Sequence, residues 1–388
     1  MKKISLAEPN IGNKEWQYLK ECLDSGWVSS SGSFVKRFEK FVSKKTKIKH
    51  ATAVVNGTSA LHLSLYVLGI RETNEVLVPS LSFIAPINTI RYLGAVPVFM
   101  DCNEHHTMDI TKTLEFLNNE TFMKAGSCYN KKSKKRIAAV LPVHTWGNPV
   151  EVNQLYSICR KKNIKIVEDA SESLGSLYQD NKGNMVHTGK IADIACLSFN
   201  GNKIVTSGGG GMILTNKKKD SDLVNYYSTQ AKDDPFYYKH NNVGFNFRLT
   251  NIQAALGLAQ VQSLPSFKAK KKKIYKIYDQ SFKDIPGLEL IKPAKNTRSN
   301  YWMTVLKVNK KIFGNSRDQI IKKLLNAGIE CRPVWYPNHL QKPFKSFQSY
   351  KVQKTQSEVK SCICLPSSTN LSKTDISKVV STISRMQK

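Results

Sequence analysis

No apolar run in this 388-residue chain approaches the roughly 18 residues a bilayer-spanning helix needs, so no membrane partner is expected. The opening stretch Met1-Lys-Lys-Ile-Ser-Leu-Ala-Glu-Pro9 lacks the apolar centre of a secretory signal. The eight cysteines, at 22, 102, 128, 159, 196, 331, 362 and 364, form no C-x-x-C pair. Cys362-Ile-Cys364 has no histidine or second pair at zinc spacing, so no metal is expected. Free thiols of this kind suit a reduced, cytoplasmic location. No segment repeats.

Acids are also scarce. There are 29 Asp and Glu against 59 Lys and Arg, a net charge of +30. Such a balance raises a nucleic-acid partner first. The lysines are scattered, however, with small clusters at Lys131–Arg136, Lys217–Lys219 and Lys270–Lys273. No helix-turn-helix, RNP or zinc-finger pattern accompanies them. The reading is a solvated basic surface with no nucleic-acid partner. Its field would draw an anionic substrate such as a nucleoside diphosphate.

What is present is alternation. Short apolar runs at Ala51–Val55, Glu75–Pro79, Val96–Asp101, Ala138–Val143, Ile164–Glu168, Ala192–Phe199 and Gly211–Thr215 read as strands. Several are continuous and β-branched, as in strands buried on both faces. Helical patterns such as Ser59–Leu68 and Val152–Lys162 lie between them. The fold class is therefore α/β, with a mostly parallel sheet flanked by helices. Residues 117–136 read as a polar surface excursion. A helical pattern from Asn251 past Lys273, then strands at Trp302–Lys307 and Ile329–Val334, suggest a smaller α+β domain. The expected division is 1–250 for the large domain and 251–388 for the small one.

Ser198-Phe-Asn-Gly-Asn-Lys203 follows a strand and precedes the glycines 208–211. Asp169 stands at the carboxyl end of an earlier strand, the edge where open α/β sheets bind ligands. A lysine so placed suits the amine that anchors pyridoxal phosphate (PLP), and the acid suits the pyridine nitrogen. Asp169 would equally cap the helix after it, and a lysine beside glycines could be a solvated loop. Asn56-Gly57-Thr58-Ser59 opens a helix after a strand, a ready anion site for a phosphate. Ser198 offers another hydroxyl. Phe83 follows a strand and could stack on the ring. His144, also at a strand end, could approach the cofactor or hold its own loop.

With these pieces in place, the chain resembles the DegT/DnrJ/EryC1/StrS sugar-nucleotide aminotransferases, of PLP fold type I. The likeness runs through Gly26-Trp-Val-Ser-Ser-Ser-Gly32, Asn56 to Leu63, Glu168 to Gly175, Ser198 to Met212, Gly244-Phe-Asn-Phe-Arg-Leu-Thr250 and Gly328 to Pro333. It implies that Lys203 carries the cofactor and Asp169 pairs with its ring nitrogen. Gly57, Thr58, Ser59 and Ser198 would hold the phosphate, and Phe83 would cover the ring. Asn246 would reach the phosphate of a second subunit, making a homodimer with shared sites. Glu172 stands where the family usually has glutamine. Trp27, Ser29, His144, Arg298, Tyr301, Trp302, Trp335 and His339 would face the substrate. The spelling with Asn200 and an uninterrupted glycine run is similar to enzymes of the bacillosamine and legionaminic acid pathways. That implies a UDP-linked 4-keto-6-deoxy sugar as acceptor and L-glutamate as donor. GDP-perosamine synthases and 3-keto-sugar aminotransferases are the alternatives within the fold. A non-enzymatic nucleic-acid-binding protein that keeps the fold is the alternative outside it. The purified protein is expected to be yellow; colourless protein that holds DNA at physiological salt would favour that last alternative.

Overall fold

The structure, a computed structural model, describes residues 3–387; Met1 and Lys2 of the opening stretch, and Lys388, lie outside it. Seven strands form the body of a ten-stranded sheet: β1 (His50–Val54), β2 (Asn74–Pro79), β3 (Val96–Met100), β4 (Arg136–Val140), β5 (Lys165–Asp169), β6 (Ile194–Ser198) and β7 (Gly211–Thr215). Their spatial order is β1-β7-β6-β5-β4-β2-β3. Pairs from β6 through β3 are parallel, whereas β7 runs antiparallel to both β1 and β6. Every residue of β2 and β7 is buried. Helices cover both faces of such a sheet, which is why these runs are continuous rather than alternating. All seven sequence-predicted strands of this sheet are present, with ends displaced by at most three residues.

Five helices shape the site and its surroundings: α1 (Asn13–Asp24), α2 (Ser33–Thr46), α3 (Gly57–Val67), α4 (Asn251–Gln262) and α5 (Leu264–Phe282). α3 starts directly after β1, and the Asn56 side chain caps it by accepting from the Ser59 N–H at 2.7 Å. The small domain centres on a four-stranded antiparallel sheet, β8 (Leu288–Leu290), β9 (Thr304–Val308), β10 (Arg332–Pro333) and β11 (Cys362–Leu365), ordered β8-β9-β11-β10. Its core gathers Tyr278, Phe282, Leu306, Ile363 and Val379.

On either side of residue 250 the chain packs into one core, with Leu249 and Ala254 in the same cluster. α4 packs on α1 and α2, and its Ala254, Ala255, Leu258 and Val261 share a core with Phe34 and Phe38 of α2 and with Val305 and Cys362 of the C-terminal segment. The small-domain core starts at Ile274, within α5, and it takes Ile4 from the other end of the chain. Ile4 pairs with Ile329. Ser349–Tyr350 then returns to the large sheet as a short strand parallel to β3. The segment 117–136, read as a polar surface excursion, is an ordered and largely exposed hairpin. Thr121–Lys124 and Ser127–Asn130 form a hairpin joined to β4, with Cys128 and Asn130 buried. Asn130 donates to Glu75 Oε2 at 2.8 Å.

β7 fits between β1 and β6 only as glycine at its first residue. A Cβ at Gly211 would stand 2.4 Å from the Asn56 carbonyl oxygen and 2.8 Å from the Gly57 nitrogen, both backbone atoms that cannot turn aside. Gly211→Ala is therefore expected to destabilise by on the order of 1–3 kcal/mol in urea unfolding. Gly201→Ala, where a Cβ meets open space, should change little.

Candidate active site

A cleft of about 350 Å³ opens at the carboxyl ends of the parallel strands, where ligands of such sheets bind. Four elements build it. β5 ends in Asp169, which lines the cleft and accepts from the Ser171 N–H through Oδ1 at 3.0 Å, leaving Oδ2 for a ring N–H. Glu168, one residue earlier, points to the opposite face as strand alternation requires. It is fully buried and accepts from Tyr178 Oη at 2.9 Å and the Gly189 N–H at 2.5 Å.

β6 delivers Ser198 and then the turn that carries Lys203, whose N–H donates to the Asn200 carbonyl at 3.0 Å. Trp302 braces this turn by donating Nε1–H to the Asn202 carbonyl at 2.7 Å. Lys203 Nζ lies 4.3 Å from the Trp302 ring centre, a cation–π distance. It also lies 3.2 Å from Glu172 Oε1. Glu172 Oε2 accepts from the backbone N–H of Trp146 at 2.8 Å. Burial raises the Glu172 carboxyl above its ordinary range. Lys203 and the Trp146 N–H oppose that rise, and Asp169 adds to it. Glu172 is thus a buried carboxyl held from both oxygens, able to accept from or donate to the amine beside it.

The N-terminus of α3 supplies the anion-binding side. A Cβ on Gly57 would sit 2.9 Å from Ser198 Cβ, 3.2 Å from Ser198 Oγ and 3.3 Å from Ser171 Oγ. The bare glycine therefore leaves a cradle at the positive end of a helix, with two hydroxyls turned toward it. Together with Asp169, Lys203 and the half-exposed Phe83 on the opposite wall, this cradle suits PLP: phosphate at α3, ring nitrogen at Asp169, carbonyl at Lys203.

The cleft brings together Gly57, Thr58, Phe83, Asp169, Glu172, Ser198, Lys203, Trp302 and Trp335. Ser59 is not among the lining residues, and its N–H is occupied by Asn56. His144 is not among the residues lining the cleft. Its ring is fully buried, Nδ1 accepts from the Val150 N–H at 3.0 Å and Nε2 faces Glu168 Oε2 at 2.7 Å. His339 is likewise held in packing and is not among the lining residues. Nδ1 bonds Ser80 Oγ and Nε2 faces Gln356, so the ring ties the 338–340 turn to β2. Tyr301 packs its ring on Tyr275 at 4.6 Å, at the edge of the small-domain core. Trp27, Ser29, Arg298 and Asn246 are exposed and line no part of their own chain's cleft. The carbonyl of Trp27 accepts from Asn251 Nδ2 at 2.6 Å, which anchors that loop to α4.

Sequence reasoning missed Ser171, which an aspartate two residues earlier could have suggested through the local turn it makes. It also missed Trp146. This residue stacks on Trp335 at 4.0 Å and 17° and lies 6.3 Å from Trp302 at 9°. Nothing in its local spelling marks it.

Comparison with known proteins agrees with this geometry. The DegT/DnrJ/EryC1/StrS aminotransferase family matches residues 9–384. GDP-perosamine synthase of Caulobacter vibrioides is 34% identical over 386 residues, 99% of this chain and 98% of that protein. GDP-perosamine synthase of Escherichia coli O157:H7 is 34% identical over 87% of this chain and 86% of its own length. The PLP form of Spr1654 from Streptococcus pneumoniae superimposes with a TM-score of 0.86 at 23% identity, covering 99% of this chain and 98% of that one, a likeness of fold. The chain belongs to the DegT/DnrJ/EryC1/StrS aminotransferase family and is a PLP-dependent sugar aminotransferase.

Proposed function

We propose that the enzyme moves an amino group from L-glutamate to C4 of UDP-2-acetamido-2,6-dideoxy-α-D-xylo-hexos-4-ulose. The product is UDP-4-amino-4,6-dideoxy-N-acetyl-α-D-glucosamine, a precursor of bacillosamine, legionaminic acid or related surface glycans. The observation that carries amino transfer is the placement of Lys203 Nζ, 3.2 Å from Glu172 and under Trp302, between Asp169 and the α3 cradle. Bound there, PLP supplies a carbonyl that takes the amino group and a ring that takes up electrons freed at the donor carbon. Lys203 first anchors the cofactor. Once free, its Nζ would take up and return the proton at the donor carbon, and would do the same in reverse at the sugar carbon. Glu172 orients that amine, and Trp302 shields it from water. Asp169 holds the proton on the ring nitrogen. Thr58, Ser198 and the α3 N–H groups bind phosphate.

The choice of sugar rests on local spelling. Asn200 and Asn202 both line the cleft beside Lys203. With the uninterrupted glycines 208–211, they match the pattern similar to enzymes of UDP-linked N-acetyl sugars. A GDP-linked 4-keto sugar is the second reading, favoured by the relatives named GDP-perosamine synthase. Either nucleotide diphosphate suits a chain of charge +30.

In this reading the enzyme is a cytoplasmic homodimer, and the exposed Asn246 of one chain reaches the phosphate of the other. Its loop also exposes Phe236 at 79% and Val243 at 83%, apolar surface that a partner would cover. Among the described residues no helix is long and apolar enough to cross a membrane.

Lys203→Ala is expected to abolish the lysine-bound cofactor absorbance and to slow turnover by on the order of 10²- to 10⁴-fold. Normal turnover in that variant would remove Lys203 from its role. For the substrate, UDP- and GDP-linked 4-keto and 3-keto sugars are offered with glutamate, and products are read by mass spectrometry and NMR. The UDP-linked 4-keto N-acetyl sugar should be aminated at C4. Preferential amination of a GDP sugar would establish the second reading.

A further inference from the structure

His106, Glu358 and Cys362 form a buried cluster that neither the cleft nor the proposed chemistry uses. Their ligand atoms stand 3.4, 3.7 and 3.8 Å apart. Ligands about 2.0–2.3 Å from a tetrahedral zinc would show edges of roughly 3.3–3.8 Å, so the spacing alone invites a metal. The bonding argues otherwise. Trp146 Nε1 can only donate, and it points at His106 Nδ1 at 3.2 Å. That nitrogen must therefore be bare, which assigns the imidazole proton to Nε2. A protonated Nε2 cannot bind a metal, but it can donate to Glu358 Oε2. Glu358 Oε1 is already held by Lys307 at 2.6 Å. Burial lowers the His106 pKa, which keeps the ring neutral. The Glu358 carboxyl is held down at about 2: burial works against this, and bonds from His106 and Lys307 bring it about.

We propose that His106 is a positioning residue for amino transfer. It holds the Trp146 indole so that Trp146 presents its backbone N–H to Glu172 and its face to Trp335. The proposal rests on the reading that Lys203 and Glu172 flank the reacting amine. Two backbone features support it. Both His106 and Trp146 have φ of +63°, a strained left-handed conformation for residues of this size. Strain of that kind persists where the surroundings hold it, and here the two strained residues are bonded to each other. The chain of contacts is continuous, from Lys307 through Glu358, His106 and Trp146 to Glu172 and Lys203. It leads from the small-domain sheet to the amine.

The test uses purified holoenzyme and reads the pH midpoint of the lysine-bound cofactor band, together with kcat and KM. Glu172 and Asp169 are the acidic groups near that amine, and Trp302 covers it. His106→Leu removes the acceptor. Glu172 then loses the N–H bond that favours its ionised form, and as a neutral acid it stabilises the protonated amine less, so the midpoint should fall by about half a unit or more. kcat should drop about tenfold, with the KM for glutamate moving less. His106→Asn keeps an acceptor at the Nδ1 position and tolerates the positive φ; it should stay within about threefold of the parent. Trp146→Phe breaks the same bond from the other side and should reproduce the His106→Leu shift, with no further loss in the double variant. It also serves if His106→Leu does not fold.

An unmoved midpoint in both His106→Leu and Trp146→Phe overturns the proposal, as does simple additivity of the two. So does one equivalent of zinc in purified protein that is lost on Cys362→Ser. Lys203→Ala separates the underlying reading: if that variant keeps the band and its turnover, the assignment of the amine fails, whatever His106 does.

Discussion

β7 enters the sheet between β1 and β6 with its direction reversed, and its first residue passes close over the backbone at Asn56 and Gly57. That approach sets the position of the rest of the site. β1 leads into the helix start that can take a phosphate. β6 leads into the turn that carries Lys203. With β7 between them, the two ends lie side by side, Gly57 against Ser198. A larger residue at 211 would push apart the anion cradle and the amine together. The glycine run is thus as much a spacer between two halves of one site as a loop.

Around this spacer the acids divide their work by strand alternation. Glu168 and Asp169 are neighbours in sequence and opposite in fate. One faces the inner packing and collects His144, Tyr178 and Gly189, while the other lines the cleft. The buried hydrogen bonds behind the sheet keep β5 in register, and so keep Asp169 at its edge.

Much of this was legible from residues alone. The parallel strands announce themselves because burial on both faces demands unbroken apolar runs. Lys203 and Asp169 could be paired because each stands at a strand end, where sequence position translates directly into place. Other features left no such trace. α4 is apolar on nearly every side, so its pattern does not tell which core it joins. A histidine at a strand end, such as His144, or in a turn, such as His339, reads the same whether it faces ligand or packing, and both of these face packing. The link from His106 to Trp146 joins two left-handed residues 40 positions apart, and no local periodicity records it.

The route of the chain between its two cores bears on how the cleft admits substrate. A lobe joined by one linker can swing open about that linker. Here the small core includes Ile4, is entered again along α5, and sends Ser349–Tyr350 back to pair with β3. A wide opening would have to peel that strand from the large sheet and pull His339 away from Ser80. The two lobes are therefore stitched rather than hinged. The walls of the cleft are thus tied to one another behind the rim where Phe83 and the Asn200–Asn202 turn stand.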